Sequence, residues 1–180
     1  MASLNLSRSA SRSLAFQILY SFSFTPPQTI RELEENFLKA CAMHEPSAKQ
    51  IAKAKKAGTK NSSASGSKPD AEVAFIVAAS ETDLKEPACD LFVWDLVYGV
   101  WRNKETLDTA ISEYSRHWKV ERLGRVEHTL LRMGVFELQY SEDVPQKVVI
   151  SEALELARQF ADQKALAFIN GILDSASKSG

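Results

Sequence analysis

The chain is poor in the residues that make tight turns and cross-links. Seven glycines and six prolines in 180 residues offer few turn sites for an all-β fold, so helix is favoured. Two cysteines, Cys41 and Cys89, cannot build a disulfide framework, which favours a reducing cytoplasm. No apolar run approaches the ~20 residues that span a bilayer, so no membrane association is expected. Neither sign of charge prevails: 22 Lys+Arg against 23 Asp+Glu leave a net charge of −1, which excludes gripping nucleic acid by total charge alone. There is no GxxxxGK loop, HExxH, GxSxG or Gly-rich dinucleotide fingerprint. No cofactor is expected.

What is present is unevenly laid out. From Met1 to Ile30 there is no acid, and Arg8 and Arg12 are the only charged side chains. Between Glu45 and Asp70, Lys49, Lys53, Lys55, Lys56, Lys60 and Lys68 face only those two acids. The near-neutral total is therefore a sum over regions of opposite sign. Thr59 to Pro69 is rich in Ser, Gly and Lys and cannot bury enough surface to offset its ordering entropy, so it reads as a flexible linker or inserted loop. Three parts follow: an N-terminal helical part over 1–44, a Lys/Ser/Gly-rich insertion over 45–86, and a C-terminal helical part over 87–180.

Helical spacing accounts for most of the rest. Leu14, Ala15, Ile18, Leu19 and Phe22 share one face of a first helix, although an Arg- and Ser-rich, acid-poor start also suits an organellar transit peptide. Pro26-Pro27 stops that helix, and Thr29 to Ala42 forms a second with Leu33, Phe37 and Cys41 on one side. Val73 to Ala78 is a short apolar run of ambiguous state. Cys89 to Trp101 and Glu105 to Tyr114 read as helices, and Leu123 to Tyr140 is apolar on so much of its circumference that it suits the centre of a bundle. A helix opened by Ser151 and a last one carrying Leu166, Ile169 and Leu173 complete an all-α bundle of six or seven helices. Gly171 inside the last helix costs ~1 kcal/mol relative to Ala, which suggests a close neighbouring helix.

A search for chemistry leaves binding as the better class. Cys41 and His44 offer at most two of the four ligands of a structural zinc site, so a metal is not expected. Glu127 and His128 are adjacent on a helix and point ~100° apart, poor geometry for an acid–base pair. Glu34/Glu35 and Glu152/Glu155 read as solvated helix faces. On the first helix, Arg12, Phe16 and Tyr20 stand one turn apart with Gln17 beside them, a combination suited to single-stranded RNA. The plainer reading puts Phe16 in the core and Arg12 in solvent. Arg116, His117, Lys119, Arg122 and Arg125 surround Trp118, but Glu113 and Glu121 interrupt them, and a solvated inter-helix loop is the simpler account.

Four ordered segments carry a resemblance. Trp118-Lys-Val-Glu-Arg-Leu, Val126-Glu-x-x-Leu130-Leu-Arg-Met-Gly-Val-Phe-Glu137-Leu, Asp143-Val-Pro-x-Lys-Val-Val-Ile-Ser-Glu152 and Phe168-Ile-Asn-Gly-Ile-Leu-Asp174 closely resemble the bacterial NusB family, and Arg12-x-x-Ala15-x-Gln17-x-Leu19-Tyr20 matches its opening helix. The resemblance covers roughly residues 8–24 and 87–177 and favours an ordered first helix over a transit peptide. It implies a NusB-like all-α bundle of about seven helices in two packed sub-bundles. It also implies a transcription antitermination factor that binds boxA RNA of ribosomal leader transcripts with NusE, a small-subunit ribosomal protein, in the RNA polymerase antitermination complex with other Nus factors. Carried over by motif, the RNA surface is Arg8, Arg12, Gln17, Tyr20, Phe168 and Asn170, and Tyr20 and Glu127 are the choices for NusE. Arg132 and Glu137 are expected to be structural.

This chain departs from the pattern. Family members often open with more arginines, and the usual His-Lys pair before the Phe is replaced by Leu166 and Ala167. Lys164 adds a positive charge nearby and is expected to compensate in part for the sparse N-terminus. The same domain precedes a methyltransferase in some rRNA-modifying proteins; with the chain ending at Gly180, a non-enzymatic role is expected. An rRNA-maturation module, or a homodimerising interaction module without sequence-specific RNA binding, is the alternative.

Overall fold

The computed structural model describes residues 6–43, 90–115, 123–141 and 143–179, and among them it contains seven α-helices and no strand. They are α1 (Arg8–Phe22), α2 (Ile30–Met43), α3 (Leu91–Arg102), α4 (Lys104–Tyr114), α5 (Arg125–Tyr140), α6 (Gln146–Phe160) and α7 (Gln163–Ser177). The linker at Thr59 to Pro69, the run Val73 to Ala78, Cys89, His44 and the basic cluster from Arg116 to Arg122 lie outside the described residues.

Short polar residues start these helices where backbone donors need partners. Ser7 Oγ accepts from Ala10 N, Asp90 accepts from Phe92 N, and Asp162 accepts from Ala165 N. Thr29 serves α2 in the same way, accepting from Glu32 N, while the Glu32 carboxylate reaches back to Gln28 N. The expectation that Ser151 opens α6 is corrected: the helix begins at Gln146 behind Pro145, and Ser151 Oγ donates to Val148 O from within it. In place of a side-chain cap, Pro145 O accepts from Val148 N at 2.8 Å and Val149 N at 3.2 Å, and the exposed Gln146 and Lys147 leave their amides to water.

α5 is the hub of two packed sub-bundles. α1 packs on α3, α2 lays Phe37 against Trp94 of α3, and α4, α6 and α7 gather round α5, which also touches α1 and α3. Its apolar circumference supplies Leu130, Leu131, Met133 and Val135 to a continuous core with Leu14, Ile18, Val97, Leu107, Ile111 and Leu173. Trp101 ties the α1–α2 turn to α3 by donating from Nε1 to Pro27 O at 3.1 Å. Cys41 is buried on α2 at 5% exposure, facing the core beside Phe37 and Leu33.

Close approach falls at glycines other than the one expected. A Cβ on Gly99 of α3 would collide with the Phe136 ring, and one on Gly134 of α5 would lie 2.7 Å from Leu173 Cδ2 of α7. Gly171 faces open space, with nothing within 4 Å of where its Cβ would stand, so it is not a helix-packing device.

Candidate nucleic-acid and partner interfaces

Arg12 is a correction. Its guanidinium is 4% exposed and donates to Glu137 through Nε at 3.0 Å and Nη2 at 2.6 Å, while Nη1 lies 3.9 Å from Glu152. It therefore pins α1 to α5 and α6, and is neither solvated nor open to phosphate. A charge held this deep is tolerable only because the paired, hydrogen-bonded carboxylate offsets its lost hydration. Glu137 is structural, as expected. Glu152, half-buried beside Arg12, is not part of a solvated face, whereas Glu155 is exposed and pairs with Arg158. No described buried side-chain nitrogen or oxygen lacks a partner.

The remaining RNA candidates occupy two stretches of surface. Arg8, in the first turn of α1, is exposed, with its guanidinium carbon 4.2 Å from the centre of the Phe92 ring. Gln17 is also exposed, and its amide reaches Ser13 Oγ at 3.5 Å. On α7, Lys164 and Asn170 are exposed, and half-buried Phe168 lines an open groove with Tyr114, Gly171, Ile172 and Lys178. α1 packs on α3 and α5, whereas α7 packs on α4, α5 and α6. What joins the two is Phe160 at the end of α6, whose ring lies 4.8 Å from Phe16 of α1 just before the turn into α7.

The residues chosen for a protein partner sit on an aromatic ridge. Phe16 belongs to the core at 2% exposure and stacks on Tyr20 at 5.8 Å, and Tyr20 meets Phe24 edge-on at 5.4 Å. Phe24 is 58% exposed and carries the Arg125 guanidinium 4.4 Å above its ring. Glu127, two residues along α5, folds its carboxylate back over Gly124 at the helix start. Reasoning from spacing missed Phe24 and Phe160. Phe24 follows Tyr20 at i+4, a usable signal, but it lies beyond the helix in a turn; Phe160 is brought to Phe16 only by tertiary packing.

A second charged cluster holds α4 to α5. Asp108 accepts from Arg132 Nε at 2.7 Å and from Arg132 Nη2, and lies 2.7 Å from His128 Nε2. Burial pushes the Asp108 carboxyl up, but hydrogen bonds and charge from His128 and Arg132 outweigh it and hold it at about 2. The ionised carboxylate can only accept, so Nε2 of His128 carries the proton facing it. Arg132 is structural, as expected. Among the described residues no group of three or more His, Cys, Asp and Glu side chains is placed to hold a metal, and no helix is long and apolar enough to cross a membrane.

Comparison with known proteins places this architecture. The NusB family model matches residues 71–178. The transcription antitermination protein NusB of Desulfovibrio desulfuricans is 40% identical over 175 residues, 97% of this chain and 87% of that protein. Its counterpart in Nitratidesulfovibrio vulgaris is 38% identical over 96% of this chain and 89% of its own length. Among solved structures, T. maritima NusB superposes with a TM-score of 0.64 at 22% identity, covering 99% of this chain and 93% of that one. The NusB of a complex of antitermination factors NusB and NusE with dsRNA superposes at 0.60 and 24% identity, covering 96% and 97%. These likenesses in fold agree with the helical bundle, and the family model together with the relatives makes the assignment: the chain belongs to the NusB family.

Proposed function

We propose that this protein is a transcription antitermination factor that binds boxA-type RNA of ribosomal leader transcripts together with NusE, promoting processive transcription of rRNA operons with RNA polymerase and other Nus factors. The observation that carries the reading is the 40% identity to a transcription antitermination protein NusB along nearly the whole chain. The exposed cations and stacking groups fit it. Arg8, Gln17, Lys164, Phe168 and Asn170 form the RNA surface, with Tyr20 at its margin; Tyr20 and Glu127, extended by Phe24 and Arg125, form the NusE surface. α1 itself brings no acid to the RNA surface, although Asp90 and Asp95 of the α3 segment lie against its start, and the net charge of −1 leaves acidic surface for a basic ribosomal protein. The role is one of binding rather than catalysis, in the cytoplasm, and the 45–86 segment is an insertion between the two helical parts.

With so few cations on the RNA surface, affinity for RNA alone is weak and becomes useful only with the partner. Titration of a boxA-containing RNA, with and without NusE and across a range of salt, tests this. The expected result is preference over a scrambled RNA and a clear gain from NusE. No preference and no gain would overturn the reading, and would favour an interaction module that works without sequence-specific RNA.

A further inference from the structure

Arg8 is placed unusually for a lone arginine at a helix start, where the positive end of the helix dipole disfavours a cation. Its guanidinium lies against the Phe92 ring at 4.2 Å, and the Arg12 guanidinium approaches the same ring at 5.3 Å. The ring is itself fixed. Asp90 accepts from Phe92 N at 3.1 Å and from the buried Ser11 Oγ at 2.8 Å, so the start of α3 is tied to α1 at that level. Arg12 is committed to Glu137. Arg8 is exposed; the Asp95 carboxylate of α3 lies within its electrostatic reach, but no described hydrogen bond or ion pair holds its donors. The guanidinium thus lies over an aromatic ring while its donors are not held by any described hydrogen bond. Edge-on donation is how arginine meets phosphate.

From this geometry we infer that Phe92 is a positioning residue of the RNA surface, holding the Arg8 guanidinium over its ring so that its donors are presented to an RNA phosphate. The inference rests on the reading of Arg8 as an RNA contact and adds Phe92, on a different helix, to that surface. Stacking removes rotamer freedom from Arg8 before binding, so less has to be lost when the phosphate arrives. Arg8 and Phe92 therefore act as a unit, and the ring contributes nothing once the arginine is gone.

A double-mutant cycle with Phe92→Leu and Arg8→Ala, read by titration of the same boxA-containing RNA in the presence of NusE, tests this. Phe92→Leu keeps an apolar side chain on α3, and is expected to weaken binding about two- to fivefold, the factor equivalent to an exposed cation–π contact. Phe92→Tyr restores wild-type affinity, and in the Arg8→Ala background Phe92→Leu has no further effect. The resonances of the Arg8 side chain, displaced by the ring current in the wild type, return to ordinary values in Phe92→Leu. An unchanged Arg8 spectrum, unaltered affinity in Phe92→Leu, or the same loss with Arg8 already removed would overturn the inference. If Arg8→Ala binds as tightly as the wild type, the Arg8 contact itself fails and the RNA role of Phe92 with it, while the spectrum still reports whether the stack forms.

Discussion

Breaking the Arg12–Glu137 pair strands a charge where water does not reach. Both side chains are 4% exposed, so Glu137→Gln leaves a guanidinium without its counter-charge, and Arg12→Ala leaves a carboxylate. Either change is expected to cost about 3–5 kcal/mol in urea denaturation, far more than loss of a surface ion pair. Asp108 behaves differently because it is only partly buried. Its carboxyl is held at about 2 in the folded state against 3.8 as the ordinary value, so its contribution is complete above about pH 4 and is lost as pH falls toward 2. Asp108→Asn is expected to cost roughly 1–2 kcal/mol at neutral pH, water screening part of the interaction. In the same variant the fall of stability between about pH 4 and pH 2 becomes shallower, which acid titration of the unfolding midpoint measures.

Glycines separate the helix contacts that need close approach from those that do not. Gly99→Ala puts a methyl group into the Phe136 ring, which is half-buried between α3 and α5, and is expected to destabilise by about 1–3 kcal/mol. Gly171→Ala meets no atom and replaces glycine in a helix interior, so a gain of about 0.5–1 kcal/mol is expected. Chemical denaturation of the two variants side by side checks both signs. Helix positions themselves were readable: the spacing of Leu33, Phe37 and Cys41, and of Leu107 and Ile111, names the buried faces of α2 and α4. The start of α6 was not, because Pro145 provides no side-chain acceptor to recognise and Ser151 resembles a cap without being one.

At the scale of the molecule, the proposed RNA and partner surfaces meet at Tyr20 on α1, but Lys164 on α7 and Phe24 in the turn after α1 are each assigned to one of them alone. Lys164 is exposed in the first turn of α7, and Phe24 carries the Arg125 guanidinium at the start of α5. Lys164→Ala is expected to lower the slope of log affinity against log salt by about 0.7, the loss of one neutralised phosphate on a single strand. Phe24→Ser is expected to leave RNA binding by the protein alone unchanged while removing most of the gain from NusE. Binding titrations on both variants, each with and without the partner, distinguish the two surfaces; a salt slope equal to that of the wild type in Lys164→Ala would exclude Lys164 from phosphate contact.

The sequence by itself determined the all-α class, the central place of α5 and the membership of a family, since each is written in local spacing or in ordered motifs along the chain. It also marked Arg8, Lys164 and Asn170 as surface groups. Only the tertiary structure decided which arginine of α1 is buried and which stays exposed. Arg8 and Arg12 lie one turn apart with alike surroundings in sequence, but Glu137 arrives from a helix more than a hundred residues later and captures Arg12 alone. The same holds for Phe92 beneath Arg8 and for Phe160 beside Phe16. Helical periodicity says which residues share a face; it does not say what that face meets, because the identity of the neighbour depends on chain segments remote in sequence.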